Sequence, residues 1–527
     1  MTSPIADANL SFMILTPDKL PAKVSRDGID FLIIGSGAAG SVLAYQLAKA
    51  GKQVVVLEKG HYWPLEAMNQ RESFMSELIS PNTFQPTTGR HSRVAILQGE
   101  CYGGGTVACD GVTWDLPATV LEDWHKLGLE GYRPDNPEIP AVFKELREQL
   151  EVKTVPETHH NPNNQLLKIA CERAGLEVHS LDRNVRFCMR CGFCAQGCRY
   201  GVKNDSPQTF LKWANQHGAD VYTDCEVEQI LPDRPGGFIV EARVRPKPNR
   251  LRRGQGVSGR PARFKAKRVI VSAGAIGSPR VLQKSGIHGR GTVGRRFTLH
   301  PTGFVHGLLP DQVIDAFSGI NNSVECTHFA YVNRHKSYFD PERHGFFLEA
   351  SFSQPWGIAN ILPGAGPRHA DLMHNLRHVA GIQINAKSDA FGQVTLKEMR
   401  YELSAADNRR LIAGTRLAAE LLFRVGAEKI YTCIFPEPIN SPQELGKIEK
   451  VGYRRKQALL HTGHPFGGCV MGPDPKNSVV NEHGEVHGMP GLYVCDASVF
   501  PTTIGVNPYL SIMMVARRTA KTILAQA

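Results

Sequence analysis

Cys188, Cys191, Cys194 and Cys198 form a C-x2-C-x2-C-x3-C run, the residue type and spacing that bring several thiolates from one short loop onto one compact iron–sulfur core. Structural zinc usually draws two C-x2-C pairs from loops a dozen or more residues apart, so three consecutive short steps suit it poorly. Three readings stay open: an iron–sulfur cluster (4Fe-4S, or 3Fe-4S with one cysteine left over), reduced thiols without metal, and a structural zinc or disulfide. Arg199 follows the fourth cysteine where ferredoxins usually carry proline. Near the far end of the chain, HTGHPFGGCVMG (His461–Gly472) carries two imidazoles and GVNP (Gly505–Pro508) an amide; imidazole exchanges protons near neutral pH.

These groups need elements to hold them. Asp30–Ile34 reads as a buried parallel strand, followed by Gly35, Gly37 and Gly40, a helix to Ala50, and a second strand Gln53–Leu57 ending at Glu58. This is a complete βαβ unit with G-x-G-x-x-G in its first turn. Gly35 permits the turn, Gly37 lets backbone approach a pyrophosphate, Gly40 lets helix and strand pack closely, and Glu58 accepts from a ribose hydroxyl. GECYGGGTVACDG (Gly99–Gly111) supplies a glycine-rich backbone able to lie flat against a bulky planar ligand, with Gly104, Gly105 and Thr106 at its centre. Ala219–Ile230 and Arg268–Ser272 read as apolar strands, and Gly277, Ser278 and Pro279 as the start of a helix. GLYVCDAS (Gly491–Ser498) ends a strand at Asp496 and Ala497, placed to contact polar groups of a bound dinucleotide. The aromatic stretch Phe346–Trp356 reads mostly as core, and Glu349 inside it reads as a pocket-facing acid or, in preference, as a surface glutamate.

At 527 residues, 42% hydrophobic and 21% charged, the composition is that of a globular protein of two or more domains. No stretch reaches the roughly 18 uninterrupted apolar residues of a membrane span. The first residues lack the pattern of a secretory signal, and twelve cysteines without one point to reduced or metal-bound thiols. The cytoplasm is therefore expected, with the periplasm, or a membrane reached through a partner subunit, as the alternative. The formal charge of +11 is matched by the 11 Lys or Arg between Arg243 and Arg268. That segment reads as a solvated hairpin loop, or as a docking arm for an acidic partner or an anionic membrane surface. Phe264 is its only aromatic residue, so nucleic acid is not expected.

Together the motifs resemble the glucose–methanol–choline (GMC) oxidoreductases over nearly the whole chain. GSGAAG with Glu58 is similar to that family's ADP-binding unit, and GGGT to its flavin-covering loop. SAGAIGSPRVLQKSG, VGRRFTLHP and HPFGGCVMG are similar to three further family segments. HPxGGC and GVNP look closest to the branch holding cholesterol oxidases, long-chain alcohol oxidases and some sugar dehydrogenases. The resemblance implies an α/β fold, with a Rossmann-like FAD-binding domain (27–120, 186–300 and 450–527) and an interleaved α+β substrate-binding domain carrying an antiparallel sheet (121–185 and 301–449). It implies FAD as cofactor, an alcohol, sugar or sterol as substrate, and Val227 beside the adenine. It also implies His464 as general base and Asn507 as its active-site partner, one that contacts the flavin and donates to the substrate oxygen. Val107, Ala108, Cys109 and Asp110 stand where many members carry asparagine.

Some sugar dehydrogenases of this family hold an iron–sulfur centre from a similar position, whereas related alcohol oxidases keep a shorter pattern, present here as GCRYGVK (Gly197–Lys203). If a cluster is bound, electrons pass to an external acceptor and a cytochrome- or quinone-linked redox partner is expected. Without one, the alternative is an oxygen-using alcohol oxidase. A disulfide-reductase-like flavoprotein is disfavoured by the single G-x-G-x-x-G. A non-enzymatic electron-transfer protein leaves the histidine segment unexplained.

Overall fold

The computed structural model describes residues 14–80, 85–233, 236–246, 259–330, 336, 340, 342–453 and 458–526. Among them, two large sheets dominate. At the centre of the first lies Val24–Ile34, parallel to Val54–Leu57 on one side and to Arg260–Val271 on the other. Asp220–Tyr222 and Ile14–Leu15 continue the parallel run, and Leu492–Val494 pairs with the end of Arg260–Val271. Val54 to Leu57 are all buried; each such apolar side chain contributes about 1.5–3 kcal/mol. Helix Ala38–Lys49 makes the crossover, so Gly35, Gly37 and Gly40 sit at the carboxyl ends of the strands, where open α/β sheets bind ligands.

The strands around the basic segment differ from expectation. The backbone breaks at Asp224, which has positive φ, dividing the expected Ala219–Ile230 strand into Asp220–Tyr222 and Cys225–Pro232. Much of the basic segment is itself strand: Phe238–Val244 and Arg260–Val271 form an antiparallel hairpin. Ala262, Phe264 and Ala266 point inward while Arg263, Lys265 and Lys267 point to solvent, the period-2 alternation of a strand with one covered face. Residues 247–258, the centre of the expected arm, lie outside the described residues.

In the second sheet, Thr302–Leu308 and Val379–Ala386 pair antiparallel, followed by Phe346–Ala350, Val324–Cys326 and Val178–Ser180. Val94–Ile96 and Leu460–Thr462, which fall inside segments expected to belong with the glycine-rich unit, join its other edge. Helix Ala405–Arg424 covers one face: a Cβ at Gly414 would lie 2.4 Å from Ile384 and 3.0 Å from Phe346. Alternation therefore sends Phe347, Glu349, Gln383 and Asn385 to the opposite face. A short ladder, Thr298↔Phe466 and Leu299↔Pro465, links the strand Arg295–Leu299 to the histidine segment. No helix among the described residues is long and apolar enough to cross a membrane.

Candidate active site

Gly35 has φ of +104°, and a Cβ there would lie 2.4 Å from Ser272 O; at Gly40 it would lie 2.0 Å from Gly35 O. Only glycine fits either position. Gly37 and Gly105 meet nothing within 4 Å, while Gly104 lies against the Gly37 backbone, so the GGGT segment closes over the first glycine turn. Gly103 N–H donates to Ser36 Oγ, and Thr106 Oγ1 accepts from Ser206 N–H and donates to Gly103 O. Glu58 Oε2 accepts from the amide and hydroxyl of Ser36, and its Oε1 accepts from Gly60 N–H at 2.7 Å. Burial raises its pKa against those bonds. Cys225 N–H donates to Glu58 O, which brings the strand carrying buried Val227 to the same edge. Asp496 Oδ2 accepts from Gly274 N–H and Ser278 Oγ, and Gly467 N–H donates to Ala497 O. The Asp496 carboxylate thus joins two of the sequence motifs, and the neighbouring Ala497 carbonyl ties in a third. Open backbone at Gly37 and Gly105 between closed positions is a cradle that fits a dinucleotide.

The second cluster is a chain of hydrogen bonds. Gly505 N–H donates to His300 Nε2 at 3.1 Å, and His300 Nδ1 lies 3.2 Å from His464 Nδ1. The polarity of the first bond fixes the rest. With Nε2 accepting, neutral His300 carries its proton on Nδ1 and donates to His464, whose own proton then sits on Nε2. Burial lowers the pKa of both imidazoles, His464 to about 4 and His300 well below its ordinary value, with His464 and Lys387 adding to the effect on His300. Both are neutral near pH 7. His461 is buried, sits on its own strand opposite Thr302, packs against Phe304, and is pushed to about pKa 4 by burial.

Asn507, two residues beyond Gly505, donates to Glu349 Oε1 at 3.3 Å. Glu349 also accepts from Asn322 at 3.1 Å, Asn385 at 2.8 Å and Gln383. Glu325 is its direct cross-strand neighbour and accepts from Trp114 Nε1 at 3.1 Å; both glutamates are 0% exposed. Burial and then the adjacent Glu349 drive the Glu325 pKa well above the carboxylate range. Glu349 is raised by burial, but its amide donors oppose that shift. Two adjacent buried carboxyls do not both ionise readily, so Glu325 is the protonated member and Glu349 the carboxylate. Glu325 Oε1, Asn322 Oδ1 and Asn507 Oδ1 are buried without a hydrogen bond among the described residues. Orphaned buried polar atoms mark a place built for groups from outside the chain.

The four cysteines border one cavity, together with Arg183 and Ile320. Arg183 donates to Cys194 Sγ at 3.1 Å, and Arg190 N–H to Cys188 Sγ at 3.4 Å. Fully buried Lys203 donates to Val107 O, Cys109 O and Cys194 O at 2.7–2.8 Å. Arg183 Nε also donates to Asp110 O at 2.9 Å. The cysteine loop is therefore fastened to the segment that continues from Gly104–Thr106. Among the described residues no three His, Cys, Asp or Glu side chains close around a single ion; four thiols around a cavity are a donor set suited to a larger inorganic core.

GMC oxidoreductase family models match residues 29–302 and 379–516. The chain belongs to the GMC oxidoreductase family. It is 27% identical over 517 residues to the long-chain-alcohol oxidase FAO1 of Arabidopsis thaliana, a match covering 92% of this chain and 65% of that one. The GMC chain thus spans about two thirds of the length of such relatives. It is also 27% identical over 512 residues to y4nJ, an uncharacterised GMC-type oxidoreductase of Sinorhizobium fredii, covering 94% of this chain and 95% of the other. Among solved structures it superposes on pyridoxine 4-oxidase from Mesorbium loti with a TM-score of 0.69 and 15% identity, covering 94% and 99% of the two chains. Formate oxidase of Aspergillus oryzae gives 0.69 and 16%, covering 95% and 99%. The fold class is the expected one, a Rossmann-like FAD-binding domain with a substrate-binding domain.

Within this GMC fold, the glycine turn and the GGGT loop meet at Ser36 and Glu58, Asp496 is tied to Gly274 and Ser278, Val227 is buried on the strand Cys225–Pro232, and His464 joins a chain that sequence reading left without His300. Asn507 aims its amide donor at Glu349 and leaves its carbonyl open. Glu349 corrects the surface reading: it is fully buried. One acid inside the apolar run FFLEA was the available signal, because an ionisable group in a buried strand is costly unless it has work to do.

Proposed function

We propose that this chain is an FAD-dependent oxidoreductase acting on the CH–OH group of an alcohol, a class that includes sugars and sterols. We propose further that electrons leave through an iron–sulfur cluster on Cys188, Cys191, Cys194 and Cys198 to an external acceptor. The observation that carries the first part is the Gly505–His300–His464 chain together with the Glu349 carboxylate held by Asn507. FAD, when bound, supplies the hydride acceptor, and Gly35, Gly37, Gly40, Glu58, Gly104, Gly105, Thr106, Val227, Asp496, Ala497 and Asn507 are the residues that would hold it.

Alcohol oxidation also needs a group to take the hydroxyl proton. His464 was expected in that role, but the polarity of its hydrogen bonds favours the opposite one: its Nε2–H donates to the substrate oxygen and steadies developing negative charge. Glu349 then accepts the proton, and the protonated Glu325 beside it keeps the pair at one negative charge before transfer. The fastening of the cysteine loop to the GGGT segment by Lys203 and Arg183 supports the second part.

An oxygen-using oxidase is the second reading, favoured by the similarity to a long-chain-alcohol oxidase. Anaerobically purified, iron-replete protein decides between them. A flavin spectrum with bound iron and sulfide, bleached by one of a panel of sugars, sterols and aliphatic alcohols, supports the dehydrogenase. Peroxide formed in step with substrate consumed by metal-free protein supports the oxidase, and a colourless protein that takes up no flavin overturns both.

A further inference from the structure

We propose that the surface over the cysteine cavity is the docking face for a small acidic electron-carrier protein, with Phe187, Met189 and Tyr200 as its apolar centre and Arg190 and Arg199 as its cationic rim. The inference rests on the cluster proposed above and names where its electrons leave. Large apolar side chains stand exposed at only nine described positions, and three of these fall within the cysteine segment: Phe187 at 88%, Met189 at 60% and Tyr200 at 46%. Two observations show that the loop is held in this state. Phe187 and Arg190 have φ of 48° and 52°, left-handed values that are unfavourable for a residue with a side chain. Beneath them the loop has no slack, because a Cβ at Gly192 would lie 2.7 Å from Gln354 Nε2 and one at Gly197 2.8 Å from Met68 Sδ.

Charge selects the partner. Arg190 and Arg199 are exposed and make no ion pair among the described residues. On the basic hairpin, by contrast, Arg243, Lys265 and Lys267 are paired with Glu228, Asp233 and Asp30. An apolar patch with a charged rim is the anatomy of a protein interface, and unpaired cations steer an acidic partner. Oxidation of one alcohol to the carbonyl releases two electrons and two protons, so two oxidised one-electron carriers are reduced in turn while the protons go to solvent.

The test uses holoenzyme whose flavin, iron and sulfide contents have been measured. Two carriers are offered, an acidic plastocyanin and a basic cytochrome c, together with neutral 1,4-benzoquinone as a small acceptor. At low ionic strength plastocyanin should bind by calorimetry and be reduced at least tenfold faster than cytochrome c. The double variant Arg190→Glu, Arg199→Glu should lose that advantage, and Phe187→Ser should weaken plastocyanin binding at least fivefold. Benzoquinone turnover should stay within twofold in both. Equal rates with the two proteins, or plastocyanin binding indifferent to charge reversal in cluster-containing enzyme, overturn the docking face alone. Iron-replete holoenzyme without iron and sulfide overturns the cluster, and the docking face with it. Sedimentation with anionic vesicles in place of plastocyanin binding also overturns the proposal.

Discussion

Glu349 and His464 carry the sharpest predictions at the scale of single residues. Replacing Glu349 with Gln keeps the shape and removes the proposed proton acceptor, and should lower kcat by about two to four decades. Because burial raises its pKa, the free enzyme should lose kcat/KM as pH falls through a limb above the ordinary glutamate value. That limb should vanish in Glu349→Gln, as a pH–rate profile will show. His464→Ala should lose a similar two to four decades with FAD retained, whereas His464→Gln, which keeps a donor, should recover at least tenfold of that loss. Equal losses in both His464 variants would return the base role to the imidazole. Residue types in short motifs made the cysteines, the glycines and His464 legible from sequence. Glu325 and His300 were not, because their roles come from cross-strand register and from one backbone amide, neither of which a linear pattern encodes; for Glu349 the apolar run FFLEA held a signal, but not its partners.

At the scale of elements, the glycine turn is the most constrained. Gly40→Ala places a methyl group 2.0 Å from Gly35 O, so helix Ala38–Lys49 must move off its strand; the purified variant should carry less than a tenth of the wild-type FAD, measured by absorbance. Lys203 is the analogous point for the cysteine loop. Lys203→Met removes three charge-assisted bonds and strands three carbonyls, a loss of about 3–5 kcal/mol on the scale of a broken buried network, visible as a fall in thermal midpoint. The βαβ unit was legible because a buried strand, glycine spacing and helix period all agree locally. Part of the basic segment was misjudged as loop: Arg263, Lys265 and Lys267 lie on the solvent face of a strand whose inward residues, Ala262 and Ala266 among them, are too small to announce the alternation.

The whole molecule is set by how the two sheets meet. The second sheet was hard to foresee, since several of its strands have only two or three residues and pair with distant parts of the chain, as Val94 does with Leu460. Behind the active site lies Lys387, which is 1% exposed. Burial lowers its pKa to about 7, helped by Arg343 and Arg410 and opposed by Asp123. In the unfolded chain a lysine keeps its ordinary value near 10.4. Between about pH 7 and pH 10 the unfolded state therefore binds a proton that the folded state does not, and this residue's contribution to stability rises with pH. Below about pH 7 both states hold the proton and the contribution is flat. Denaturation of wild type against Lys387→Met should show the difference moving in favour of wild type by at least about 1 kcal/mol from pH 7 to pH 9; a constant difference would refute the depressed value.

Lys203 reaches the flavin-side loop and the thiol loop with one ammonium group, so neither loop can settle while the other is unformed. The two loops then form together or not at all. With the proposed cluster on the four cysteines, protein made under iron limitation should accumulate poor in flavin as well as in metal, a shortage of one nutrient showing itself as a deficiency of another.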